Sequence, residues 1–242
     1  MIIYFVIFIL GACIGSFANV IFTRNDWYKG RSRCDVCGYT LKWLDLIPVI
    51  SYVFLRGRCR KCGNKIGFEH LLAEIYMGCA FLCVSYIFEA TDLPFTIIAG
   101  TGLIFLCLAA IQDFKEQMVF SWILYGGIAI LFIERLSWTV LNSDWLCFAE
   151  IISGVLIIKV LGYILCKKYP DSIGDGDFDL LAIMMLVFGI IDFVYALTIS
   201  CIIGIIVYLP IIIIRKNRRM TIPFGPLLFI GSMTMLFVGG CV

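Results

Sequence analysis

Charge is the first thing this chain lacks. Only 15% of its 242 residues are charged, against 62% hydrophobic. Soluble domains carry about 25% charged and roughly 45–50% apolar residues. A soluble globular domain is therefore excluded and a polytopic membrane protein expected. Histidine is nearly absent as well. His70 stands alone, so the Asp-His-His-Cys run that protein palmitoylation requires is missing. The opening residues, Met1-Ile2-Ile3-Tyr4, hold no basic side chain, unlike the positive start of a cleavable signal peptide. The first apolar segment reads as a retained span that begins outside. No glycine-rich nucleotide loop, internal repeat, low-complexity stretch or disordered tail is visible. The net charge of +2 says little, because membrane proteins sort charge by side.

A spanning helix needs about 20 apolar residues. Such stretches run over roughly 2–22, 68–88, 94–112, 118–134, 145–165, 175–191, 193–214 and 223–241. The sixth and seventh form one run too long for a single span, and a tight turn at Gly189 to Asp192 is expected to split it. Eight spans put both termini on one side. Arg24, Lys29, Arg31, Arg33, Lys42, Arg56, Arg58, Arg60, Lys61 and Lys65 follow span one. Lys115 follows span three, Lys167 and Lys168 span five, and Arg215, Lys216, Arg218 and Arg219 span seven. The other side shows Arg135 in a loop, with Lys159 left inside span five. Seventeen of the nineteen basic residues thus agree with termini outside and a cytoplasmic first loop.

That loop carries Cys34-Asp35-Val36-Cys37 and Cys59-Arg60-Lys61-Cys62. Two Cys-x-x-Cys pairs at this separation suit tetrahedral thiolate coordination of zinc. Gly38 and Gly63 follow the pairs and permit the tight turn a metal needs. Neighbouring arginines and lysine favour thiolate. The loop is too short for a good core, so metal would supply folding energy. Disulfides or free thiols are the alternatives, and a reducing cytoplasm disfavours the former. Four thiolates leave no open position, so the zinc of Cys34, Cys37, Cys59 and Cys62 is read as structural. Cys13, Cys79, Cys83, Cys107 and Cys201 fall in apolar runs and read as small hydrophobes.

Two aspartates sit where long apolar stretches meet polar loops. Asp113 lies in Ile111-Gln112-Asp113-Phe114, and Asp177 closes Gly174-Asp175-Gly176-Asp177. Carboxylates at membrane depth are functional candidates, and a convergent pair can share a proton and activate water. Each also fits a helix cap: Asp113 with Glu116 as a capping box for span four, Asp177 for span six. On residues alone both readings stand. A calcium loop does not, since the sixth and twelfth positions from Asp175 are Leu180 and Leu186. Ser16 and Asn19 lie beside Gly11-Ala12-Cys13-Ile14-Gly15, a small-xxx-small packing face. Glu74, within span two, is expected to face the interior or a cavity with a partner. Glu150 and Lys159 in span five either reach toward polar surroundings or pair internally, and neither points to a sharper role.

These features together resemble the type IV prepilin peptidases, membrane aspartic proteases with a GxGD motif. Gly11 to Val20 with Arg24 resembles the family's opening. Cys34-x-x-Cys37, Asp45-Leu46-Ile47-Pro48, Ser51-Tyr52 and Gly57-Arg58-Cys59-Arg60-Lys61-Cys62 resemble its cysteine loop. Ile66 and Glu74 fit the next segment, Asp113 the first catalytic aspartate, Gly174-Asp175-Gly176-Asp177 the GxGD motif, and Ile222-Pro223-Phe224-Gly225-Pro226 the start of the last helix. Three positions depart. Asn25-Asp26-Trp27 replaces an early proline, Val119-Phe120 replaces an Ile-Pro pair, and Asp179 stands for a lysine shortly after GxGD. The last puts an anion two residues from Asp177, which would raise the proton affinity of the pair.

The resemblance implies an all-α polytopic membrane protein of about eight transmembrane helices, with a small cytoplasmic zinc-ribbon-like loop between helices one and two. The expected division is a first helix at 1–23, the cysteine loop at 24–67 and a seven-helix protease core at 68–242. Asp113 and Asp177 would be catalytic, with Gly174, Asp175 and Gly176 supporting the motif. The substrate would be a prepilin or pseudopilin, cut after glycine at the cytoplasmic face of a bacterial cytoplasmic membrane. Its basic leader would meet Asp175 and Asp179. N-methylation of the new terminus by S-adenosylmethionine would follow, with Asn19 and Glu74 as methyltransfer or structural polar residues. Type IV pili, type II secretion or competence would use the product. No nucleic acid partner is expected. A cleavage-only peptidase, or a non-enzymatic zinc-loop scaffold or transporter, is the alternative.

Overall fold

The structure is a computed structural model that describes residues 2–23, 31–34, 36–90, 93–169, 174–215 and 223–239. Arg24 to Trp27, Lys29, Asp35, Lys216, Arg218, Arg219 and Ile222, all used in the sequence reading, lie outside the described residues.

The apolar runs form helices because in hydrocarbon only a helix satisfies its own backbone within one segment. They are α1 (Ile2–Thr23), α2 (Ile50–Phe54), α3 (Phe68–Ala90), α4 (Leu93–Glu116), α5 (Ser121–Asn142), α6 (Trp145–Lys168), α7 (Asp175–Arg215) and α8 (Gly225–Gly239), with a 3-10 turn at Trp43–Leu46. Among the described residues, α1 and α3 to α7 are long and apolar enough to cross a membrane, and α8 is a shorter apolar helix. The chain is a multi-pass membrane protein. It forms two compact units, Met1–Ser85 and Tyr86–Val242.

In the first unit α1 and α3 approach closely through glycine. A Cβ at Gly11 would meet the Met77 carbonyl at 2.6 Å and Phe81 at 2.9 Å, and Gly15 lies against Ala73 and Met77. This is the small-xxx-small contact the sequence suggested.

In the second unit α7 packs against α4, α5, α6 and α8, and α4 also contacts α5 and α8. α7 is broken at Gly189, where φ is 75° and ψ −176°, backbone space that only glycine enters without strain. A straight helix would hold Asp177 and Tyr208 about 46 Å apart. Both feel the charge of Asp113, so the chain reverses at Gly189 and α7 is a hairpin of two arms, 175–188 and 190–215. With α8, the two arms complete the eight apolar segments. The turn is tighter than expected, since Asp192 already lies in the second arm.

One expectation is corrected here. The sequence puts the end of the fourth span at 134 and Arg135 in an outer loop. Instead α5 runs to Asn142 and Arg135 is buried within it. Its Nε donates to the Leu186 carbonyl at 2.5 Å and its guanidinium also donates to the Val187 carbonyl. The break at Gly189 deprives these oxygens of helical donors. The first arm is only about 21 Å long, short of a hydrocarbon core of about 30 Å, so they need a partner inside the protein. Glu134 is likewise engaged, accepting from Thr101 Oγ1 at 2.9 Å.

Candidate active site and cysteine cluster

Asp113 sits near the C-terminal end of α4, only 9% exposed. Its Oδ2 accepts the backbone N–H of Gly225 at 2.7 Å, and the Phe224 N–H also points at it. The segment Pro223-Phe224-Gly225-Pro226 opens α8, where N–H groups have no helical acceptor and the dipole favours an anion. Gly225 fits closely: a Cβ there would lie 3.1 Å from Asp113 Oδ2 and 3.2 Å from Ala110 Cα, and these neighbours would have to give by a few tenths of an ångström. Neighbouring Gln112 is buried and its Oε1 accepts the Phe120 N–H at 2.8 Å, closing the link into α5.

Asp177 lies in the first turn of α7, its N–H directed at the Gly174 carbonyl at 3.3 Å. Gly174 and Asp175 are exposed, while Gly176 and Asp177 are half-buried. Asp113 and Asp177 interact electrostatically. Two carboxylates from different helices thus share one field, beside a helix N-terminus. Neither is a cap. Asp113 lies inside α4, and the residue that precedes α5 is Phe120; Asp177 lies within α7 rather than before it. Such a pair, at a polar boundary, can hold one proton between them and polarise water.

Tyr208, on the second arm of α7, is also within electrostatic reach of Asp113. No sequence signal singled it out, because its approach depends on the reversal at Gly189. Asp179 corrects another expectation. It is 5% exposed and paired with Lys159 of α6, so it does not offer its charge to a passing leader. Asp175 remains open.

The four cysteines form two knuckles with matching hydrogen bonds. The Gly38 N–H donates to the Cys34 carbonyl at 3.0 Å and the Cys34 N–H to Tyr39. In the second, Gly63 donates to Cys59 at 2.9 Å and Cys59 to Asn64. Gly38 and Gly63 have φ of 66° and 70°, the left-handed turn expected of them. All four Sγ atoms lie within 4.8 Å of one another, with Cys34 to Cys62 at 3.9 Å and Cys37 to Cys59 at 4.0 Å. Thiolates about 2.3 Å from a tetrahedral zinc stand about 3.8 Å apart, so the donor set fits. The backbone N–H groups of Cys62 and Lys61 lower the Cys59 thiol to about 6, a direction that suits a metal ligand. Arg60 bonds Asp45 at 2.7 Å and ties the second knuckle to the 3-10 turn.

Beside the knuckles, still within the first unit, lies a cavity of about 330 Å³. Its walls include Ser16, Asp45, Tyr52, Glu69, His70 and Glu74. Glu74 is 9% exposed. It accepts the Val49 N–H at 2.6 Å and interacts with Ser16. Val49 has φ of 61°, a strained value for a β-branched residue, and the Glu74 bond holds it there. Asn19 is buried and bonds His70 Nδ1 at 2.8 Å. Both expected polar residues of the first two spans therefore face the interior.

Comparison with known proteins is consistent along the chain. A family model described as "Bacterial Peptidase A24 N-terminal domain" matches residues 9–88, and one described as "Type IV leader peptidase family" matches residues 100–209. A "Prepilin leader peptidase/N-methyltransferase" of Bacillus subtilis is 26% identical over 242 residues, 98% of this chain and 95% of that protein. One of Vibrio cholerae with the same name is 26% identical over 257 residues, 97% of each chain. One of Myxococcus xanthus is 42% identical over 79 residues, 31% of this chain and 24% of that protein. No solved structure matches the chain.

Proposed function

The chain belongs to the type IV leader peptidase family, and from that premise we propose that it is an aspartic endopeptidase whose two carboxylates are Asp113 and Asp177. One of the pair is ionised and takes a proton from water. The other is protonated and polarises the scissile carbonyl. They act as a unit, so neither role is assigned to one residue. Gly174, Asp175 and Gly176 position Asp177 at the head of α7. The observation that carries this reading is the meeting of carboxylates from α4 and α7 at the N-terminus of α8.

The substrate is a prepilin or pseudopilin. Its apolar helix lies among the spans and its basic leader is cut after glycine at the cytoplasmic face, with exposed Asp175 available to the leader's charge. The charge asymmetry supports this orientation, with both termini outside a bacterial cytoplasmic membrane. Arg135 and Lys159, the two basic residues that did not fit the pattern, are both accounted for inside helices. The test is co-expression with a prepilin carrying a basic leader and a Gly-Phe junction. Wild type is expected to process it, while Asp113→Asn and Asp177→Asn lose processing at unchanged protein level. Cleavage by both variants rejects the proposal.

The name shared by the relatives supports a second step, N-methylation of the new N-terminus. Its methyl donor, S-adenosylmethionine, would supply a methyl group carried on a sulfonium cation. The cavity of the first unit can take such a molecule: its volume is at the lower end of small-molecule sites, Glu69 and Glu74 suit a cation and Ser16 and Tyr52 offer hydroxyls, while Asp45 is already paired with Arg60 and Arg33 and Lys65 also line the wall. Zinc held by Cys34, Cys37, Cys59 and Cys62 would fix the wall. Binding of S-adenosylmethionine by the purified chain, weakened in Glu69→Gln, is expected. No binding by wild type, together with no methyl transfer to processed pilin, leaves a cleavage-only enzyme.

A further inference from the structure

A lysine well inside a membrane-spanning helix is costly unless a carboxylate meets it. Lys159 occupies such a place in α6, more than two turns before the helix ends at Lys168. It pairs with Asp179 of α7, and its Nζ lies 5.6 Å from the Tyr125 ring centre on α5. Asp179 is two residues beyond Asp177, so the two side chains leave the helix in different directions. Asp177 faces the field of Asp113, and Asp179 faces α6.

We propose that Lys159 is a positioning residue for the Asp113–Asp177 pair: by neutralising Asp179 across the α6–α7 contact, it keeps a third negative charge out of the site and sets the pH range of cleavage. The inference rests on the aspartic peptidase reading above. Other titratable groups stand around the site. α4 brings Asp113, α5 Tyr125, and the second arm of α7 Tyr208. Asp175 precedes Asp177 on its own arm and also attracts Lys159. α6 adds Cys166, and Lys167 and Lys168 in its last turn. α8 contributes no titratable side chain.

The experiment is the pH profile of prepilin cleavage, as kcat/KM, for wild type and five variants. Removing the cation in Lys159→Met leaves Asp179 as a lone anion near the pair. Protonated forms then persist to higher pH, and both limbs move upward by roughly one pH unit, the size expected of one nearby charge in a half-buried site. Asp179→Asn leaves the lysine uncompensated, and both limbs move downward. The double variant returns to the wild-type profile, and Lys159→Arg keeps it. A pair that only holds α6 to α7 would change protein level or melting temperature and leave the limbs in place. Unmoved limbs in both single variants, or movement in the same direction, overturn the proposal. Asp113→Asn in the same series separates the two claims. If it is inactive while the limbs stay fixed, only the role of Lys159 fails; if it cleaves, the aspartic reading fails and this one with it.

Discussion

Each of the two units holds a buried carboxylate that accepts a backbone N–H. Glu74 accepts from Val49 at 2.6 Å in the first unit, and Asp113 accepts from Gly225 at 2.7 Å in the second. The local chemistry is nearly the same, but the company differs. Glu74 pins a strained residue at the head of a short helix in a loop organised by four thiols. Asp113 receives its bond from the end of an apolar helix and stands in the field of Asp177. A buried acid with one backbone donor is an anchor. A second acid brought to it by another helix makes the pair a candidate for proton transfer. The first unit is thus organised by ligands close in sequence, the second by helices whose meeting residues lie far apart.

If that contrast is right, removing metal should damage one unit and spare the other. Structural zinc contributes about 10–16 kcal/mol of apparent binding energy in small zinc peptides. Chelation, or Cys59→Ser with Cys62→Ser, is expected to open the loop to trypsin at exposed Arg58, Arg60, Lys61 and Lys65, while helicity by circular dichroism barely changes. Global loss of helix would erase the distinction. Arg135→Met strikes the second unit. It leaves two buried carbonyls without their donor and should cost about 3 kcal/mol, read as a lower melting temperature with the cysteine loop still protected. Gly189→Ala forces a side chain into positive φ and should cost about 1–3 kcal/mol. Glu74→Gln has the smallest effect, about 1 kcal/mol, because its amide oxygen still accepts from Val49; adding Val49→Gly should recover that loss by relieving the backbone. A Gln variant as unstable as Glu74→Ala would mean that the charge, not the bond, holds the turn.

What could be read in advance follows the same division. The knuckles were legible because ligand spacing is local: Cys-x-x-Cys with a following glycine specifies both the turn and the donors. The spans were legible because length and apolarity suffice. Asp113 and Asp177 drew notice as carboxylates at the ends of apolar runs, but their approach to each other needed the packing of α4 on α7. Arg135 was misplaced because a charge within an apolar run looks like a loop edge. Its partners are carbonyl oxygens, and carbonyl demand leaves no mark in a list of side chains. Lys159 and Asp179 could each be seen as anomalies. That they answer one another is a fact about how α6 meets α7.

Arg135 and Gly189 also carry a consequence for descent. A glycine that reverses a helix is tolerable only while some donor covers the carbonyls it exposes, and a buried guanidinium is tolerable only while such carbonyls await it. Either change made alone in an ancestor would have been a handicap, and each made the other permissible. The two positions should therefore be inherited as one character. Lineages that replace the arginine should be those in which the chain reverses elsewhere, or in which another donor reached the same oxygens first.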